Sequence, residues 1–114
     1  MRKKSIKNIV FDLGGVLIDW NPDYVFKKLI KNKTDREFFY NNVCTFEWNE
    51  NQDMGYPLKK ATIERIKLFP EYENLILAYY GRWEEMLGGE ISGTVKILKD
   101  IYQKGKFKII ALTN

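Results

Sequence analysis

Apolar positions fall into two short continuous runs near the chain ends, with helically spaced positions between them. Ile6 and Ile9-Val10-Phe11 form the first run, which stops at Asp12-Leu13-Gly14-Gly15. An apolar run of this length ended by a turn signal predicts a buried strand. Phe107 and Ile109-Ile110-Ala111-Leu112 predict a second strand, ending at Thr113-Asn114. Both are nearly continuous in apolar residues, as strands covered on both faces are. Gly93-Thr94 opens a helix with Val95, Leu98, Ile101 and Tyr102 facing inward, and Gly105 closes it. A helix feeding directly into the second strand predicts a right-handed crossover and a parallel pair.

Between the strands the period is helical. Val16-Leu17-Ile18 continues the first run until Asp19-Trp20-Asn21-Pro22 breaks it. Asn21 before Pro22 reads as an N-cap followed by proline in the first turn, with Val25, Phe26, Leu29 and Ile30 forming one face. Thr34-Asp35-Arg36-Glu37 has the capping-box spacing and predicts a second helix through Phe38, Phe39 and Asn42. Residues 44–57 read as irregular. A third helix is predicted from Pro57 to Phe69. A fourth carries Tyr72, Leu75, Ile76, Tyr79, Trp83, Met86 and Leu87 at steps of three and four, with Gly88-Gly89 as its stop. The order is strand, four-helix insert, helix, strand.

Composition narrows the chemistry. The chain has 114 residues, no histidine and one cysteine, Cys44. A Ser-His-Asp triad, a Cys-His pair and a histidine-ligated metal are therefore excluded within it. An internal disulfide is excluded too, which fits a reducing, cytoplasmic setting. Cys44 reads as a small core residue. No apolar run approaches the roughly 18 residues of a membrane span, so no membrane partner is expected. The net charge of +4 is uneven: eight Lys/Arg against three Asp over 1–33, six against eleven acids over 34–93, five against one over 94–114. The basic residues lie beside apolar ones at helical spacing, as on solvated helix faces. No nucleic-acid partner is expected. The acidic middle marks a compositionally distinct insert. The aromatics, 15% of residues, fall mostly on the helical faces and read as packing; Trp20, in the break after the first strand, is the exception.

Ligands of open parallel α/β sheets collect at the carboxyl ends of the strands. The two strands end in Asp12 and in Thr113-Asn114, so a parallel pairing brings these residues together. A carboxylate there can form an acyl-phosphate. The threonine hydroxyl and backbone N–H groups can hold phosphate oxygens. Gly14 and Gly15 let the backbone approach an anion. A carboxylate attacking a phosphate dianion meets like-charge repulsion, which calls for a hard cation; Mg²⁺ suits the Asp12 carboxylate and the Gly14 carbonyl.

The segment Ile9-Val10-Phe11-Asp12-Leu13-Gly14-Gly15-Val16-Leu17-Ile18 resembles the first motif of the haloacid dehalogenase-like (HAD) hydrolases. Lys108-Ile109-Ile110-Ala111-Leu112-Thr113-Asn114 resembles their second, and residues 93–105 the helix that precedes it. The resemblance covers essentially the whole chain. It is closest to the branch holding sugar-phosphate phosphatases and the N-terminal phosphatase domain of epoxide hydrolases.

It implies an α/β fold: the first part of a doubly wound parallel-sheet, Rossmannoid core, over 1–19 and 90–114, with a helical cap inserted after the first strand, over 20–89. It implies Asp12 as nucleophile and metal ligand, Gly14 as a carbonyl ligand of Mg²⁺, and Thr113 and Asn114 as phosphate-binding residues. Trp20, Asp53 and Gly55 are candidate substrate contacts. The implied substrate is a small phosphate ester such as a sugar phosphate.

Two departures stand out. Most of these phosphatases carry a second Asp, a general acid/base, two residues after the nucleophile, where this chain has Gly14. Asp19 is the nearest substitute in sequence, and capping the turn at Asn21-Pro22 is its plainer reading. The family's Lys motif and acidic pair lie downstream of the second motif, and no residue of the 114 is assignable to them. The chain is therefore expected to be an incomplete portion, inactive alone. Its expected partner is a complementing C-terminal portion, or a second copy meeting it through open sheet edges. The alternatives are a catalytically inactive fragment or interaction module, and a haloacid dehalogenase, which needs no metal.

Overall fold

The computed structural model describes residues 6–112. The fold is mixed α/β, and its contacts divide these residues into an α/β unit, 6–20 with 88–112, and a helical unit, 21–87.

The α/β unit is built on the two apolar runs. Strand β1 (Asn8–Asp12) pairs in parallel with β4 (Lys108–Leu112), in unbroken register from Asn8 opposite Lys108 to Asp12 opposite Leu112. The helix before β4, α6 (Ser92–Lys104), ends on Gly105, whose φ of 64° is the left-handed conformation that glycine adopts without a Cβ penalty. The strand–helix–strand order and the parallel pairing agree with the sequence reading. Two details do not. Tyr102, expected to face inward, is 76% exposed, and Val10 and Leu112 are more than half exposed, so these strands are not covered on both faces here. One helix can blanket only one side of a two-stranded sheet.

A second ribbon pairs β2 (Ile18–Trp20) with β3 (Leu87–Glu90). The sequence reading placed a chain break at Asp19-Trp20 and a helix stop at Gly88-Gly89. Both segments are strands, because the ladder satisfies their backbone groups whatever their helical or turn propensity. The chain leaves the α/β unit after Trp20 and returns to it at Gly88.

The helical unit begins with α1 (Asp23–Leu29). Asn21 Oδ1 accepts the Asp23 N–H at 2.9 Å, so Asn21 caps the turn with Pro22 between. The next helix, α2 (Lys33–Phe38), starts one residue before Thr34. Its cap is Asn32, whose Oδ1 accepts from Asp35 N–H at 3.1 Å, and not the Thr34 hydroxyl. The helix widens into a π-helical turn over Phe39–Val43, closed by Cys44 N–H to the Phe39 carbonyl at 2.9 Å. Phe39, Val43 and Cys44, four and five residues apart, are all buried by that widening.

Helix α3 (Phe46–Asp53) lies where the sequence suggested irregular chain. Thr45 Oγ1 caps it, accepting from Trp48 N–H at 3.1 Å. Its run of Glu, Asn, Gln and Asp hides the helix from any apolar-period test, since its buried face includes Asn49 and Gln52. Helix α4 (Leu58–Leu68) follows Pro57, and α5 (Glu73–Gly81) follows a 3₁₀ turn at Pro70–Tyr72. The periodic stretch beyond Gly81 is a 3₁₀ turn, Trp83–Met86, running into β3.

The core of this unit is aromatic. Phe26 meets Phe39 at 4.8 Å between ring centroids and Tyr79 at 5.9 Å, and Trp48 meets Tyr79 at 5.5 Å and Tyr80 at 5.4 Å. Val25, Phe26, Phe39, Val43, Ile76 and Met86 are closed to solvent. Each such side chain contributes roughly 1.5–3 kcal/mol of transfer free energy. The reading of the aromatics as packing holds here.

Candidate functional site

Asp12 is the last residue of β1 and its side chain is exposed. The chain then folds back in a compact loop. Val16, Leu17 and Ile18 N–H all point to the Leu13 carbonyl, at 3.3, 3.0 and 2.8 Å, and Gly15 N–H donates to the Ile18 carbonyl at 2.8 Å. The loop requires φ of 77° at Gly15, a conformation costly to any residue with a Cβ. Among the described residues, none of the loop's backbone hydrogen bonds ends on the Gly14 carbonyl. A Cβ built on Gly14 or Gly15 meets no atom within 4 Å, so the space beside the loop is open. The outcome is a carboxylate at a strand end beside an open loop of backbone polar groups.

The oxygen donors suit a hard cation. Mg²⁺ takes one or two carboxylates and fills its remaining positions with waters and substrate oxygens. The Asp12 carboxylate and the Gly14 carbonyl are oxygen donors of that hard type, two residues apart in sequence. Among the described residues, no group of three or more His, Cys, Asp or Glu side chains gathers at one point.

The other sequence-singled residues are dispersed. Trp20 ends β2 and Asp19 lies within it, both half-buried in the α/β unit. Asp53 is the exposed last residue of α3, and Gly55 follows it with φ of 109°; both belong to the helical unit. Thr113 and Asn114 lie outside the described residues. Leu112, which precedes Thr113 in sequence, is the register partner of Asp12.

The helical unit holds polar chemistry that the sequence reading missed. Gln52 Nε2 donates to the Tyr80 hydroxyl at 2.9 Å, and that hydroxyl donates to Asn49 Oδ1 at 2.8 Å. Asn49 and Gln52 are buried and three apart, so one face of α3 presents both amides. That spacing within Trp48-Asn49-Glu50-Asn51-Gln52 was the available signal. Burial pushes the Tyr80 hydroxyl up to about 12 and keeps it a donor. Tyr40 donates to Asp23 Oδ1 at 2.7 Å, and its pKa is raised, first by burial and then by that carboxylate. Cys44 is 2% exposed, and burial pushes its thiol up to about 12, so it is an inert core residue and not a nucleophile.

Among the described residues, no helix is long and apolar enough to cross a membrane. Compared with protein-family models, with curated proteins and with solved structures, the chain matches none.

Proposed function

We propose that this chain carries the nucleophile of a HAD-like, Mg²⁺-dependent phosphoester hydrolase acting on a small phosphate ester such as a sugar phosphate. The single observation behind this reading is the parallel register of β1 and β4, which sets Asp12 opposite Leu112, one residue before Thr113. The resemblance of both segments to the first and second HAD motifs supplies the rest. In this reading an Asp12 carboxylate oxygen attacks phosphorus, the ester P–O bond breaks, and the alcohol departs. Water then cleaves the aspartyl-phosphate and restores the carboxylate. Thr113 and Asn114 bind the phosphoryl oxygens. Asp12 and the Gly14 carbonyl would hold Mg²⁺, which when bound would offset the repulsion between the carboxylate and the phosphate dianion. Gly14 carries no side-chain proton, so the leaving oxygen takes its proton from water.

The family's lysine and acidic pair are assigned to no residue of the 114, so this reading calls for a complementing polypeptide that supplies them. The test is hydrolysis of a panel of sugar phosphates with Mg²⁺ by the chain supplied with such a polypeptide, parent against Asp12→Asn. The expected result is turnover that falls roughly a thousandfold or more in the variant. Turnover that survives Asp12→Asn, or turnover of 2-haloacids without metal, contradicts the reading.

The exposed apolar residues Val10, Ile110 and Leu112 favour a second reading as an interaction module, whose open sheet takes the complementing polypeptide or a second copy. A sedimentation series giving monomer at every concentration, with no uptake of that polypeptide, rules it out.

A further inference from the structure

A pocket of about 280 Å³ lies within the helical unit, between α3 and α4. Its wall includes Trp48, Asn51, Gln52, Tyr56, Glu64 and Arg65. The unusual member is Arg65. Its guanidinium carbon stands 5.5 Å from the centre of the Trp48 ring and 6.0 Å from that of Phe69. These aromatic faces orient the cation without consuming its N–H donors. Among the described residues the ion pairs are Lys33–Glu37 and Arg82–Glu85, so Arg65 has no carboxylate partner. Glu64, on the same wall, accepts the Tyr56 hydroxyl on Oε1 at 2.6 Å and makes no ion pair with Arg65.

Of the two amide side chains on the same wall, one is held. Gln52 is buried and fixed through Tyr80 and Asn49, which leaves its second N–H and its carbonyl oxygen uncommitted on the residue that lines the pocket. The other, Asn51, is exposed, makes no side-chain hydrogen bond among the described residues and offers two N–H donors. The pocket thus joins a pre-oriented guanidinium fork and two amides, with one carboxylate on its wall. A guanidinium fork matches an oxyanion with two parallel hydrogen bonds. The volume is at the lower end for ligand sites, which sets the size of the guest.

We propose that this pocket binds a small oxyanion-bearing molecule, a phosphate or a carboxylate, seated on Arg65 with the Asn51 and Gln52 amides donating beside it. The site lies wholly in the helical unit and does not depend on the role of Asp12.

The test is a titration of the ¹⁵N-labelled full chain with inorganic phosphate and, separately, with malonate, with divalent metal chelated. The Arg65 Nε–Hε and Trp48 indole N–H resonances report binding. Saturable shifts of both resonances with at least one probe are expected, and the probe that acts separates a phosphate ligand from a carboxylate ligand. Arg65→Gln is expected to weaken binding about tenfold or more, and Arg65→Lys, which keeps the charge but loses the fork, about threefold. Glu64→Gln alters an exposed carboxylate and is expected to tighten binding about threefold by removing a like charge from the wall. No saturable shift with either probe, undiminished affinity in Arg65→Gln with a native-like amide spectrum, or unchanged affinity in Glu64→Gln overturns the proposal.

Discussion

The two units of this chain solve the burial problem differently. Among the described residues, the apolar side chains buried in the α/β unit are Phe11 and Leu17, at 9% and 8% exposure, whereas six residues of the helical unit are closed completely. Helix α6 buries no residue fully. The helical unit is a cohesive aromatic core that also encloses a polar network. The α/β unit is a minimal strand–helix–strand motif with apolar residues on its surface, and it bears the candidate nucleophile. Stability and proposed chemistry therefore reside in different parts of the chain, so substitutions should separate them.

Phe26→Ala should have the largest effect on stability. Its ring contacts Phe39, Tyr40 and Tyr79 and is closed to solvent, so removing it leaves a cavity inside the aromatic cluster. A loss of about 3–5 kcal/mol in denaturant unfolding is expected. A loss no larger than that of a surface change would erase the contrast between the units. Tyr80→Phe is next. It keeps the ring against Trp48 but removes the hydroxyl joining Gln52 to Asn49, leaving two buried amides short of a partner. About 1–3 kcal/mol is expected from the same measurement. Val10→Ala is the smallest. Val10 lies in the middle of β1 yet is 56% exposed, so a change within about 0.5 kcal/mol is expected. A large loss there would show Val10 to be covered, and the contrast would fail at the sheet.

The legibility of the chain follows the same division. The strands of the α/β unit were readable because continuous apolar runs ended in turn residues, and α6 because its apolar stripe closes on a glycine that is left-handed in the structure. Short ribbon strands such as Gly88-Gly89 were not, since nothing local to two glycines announces a ladder partner. Helix α3 escaped because its buried face carries amides, which an apolar-period test scores as solvent-facing. The cap of α2 lies two residues before the expected one: Asn32 and Thr34 are both good caps, and the structure shows Asn32 Oδ1 taking the Asp35 N–H. Asp12 was legible as the polar end of an apolar strand, and its register with Leu112 required the structure. Arg65 could not be found in sequence, because its significance lies in the aromatic rings it stands over and the carboxylate it lacks.

The most direct test of the division between stability and proposed chemistry is Mg²⁺-dependent phosphoester hydrolysis by parent and Asp12→Asn, each supplied with a complementing polypeptide of the kind the proposal calls for, with unfolding of both recorded. Asp12 is exposed, so the substitution should leave stability within about 0.5 kcal/mol while turnover falls roughly a thousandfold or more. Turnover retained in Asp12→Asn would contradict the account.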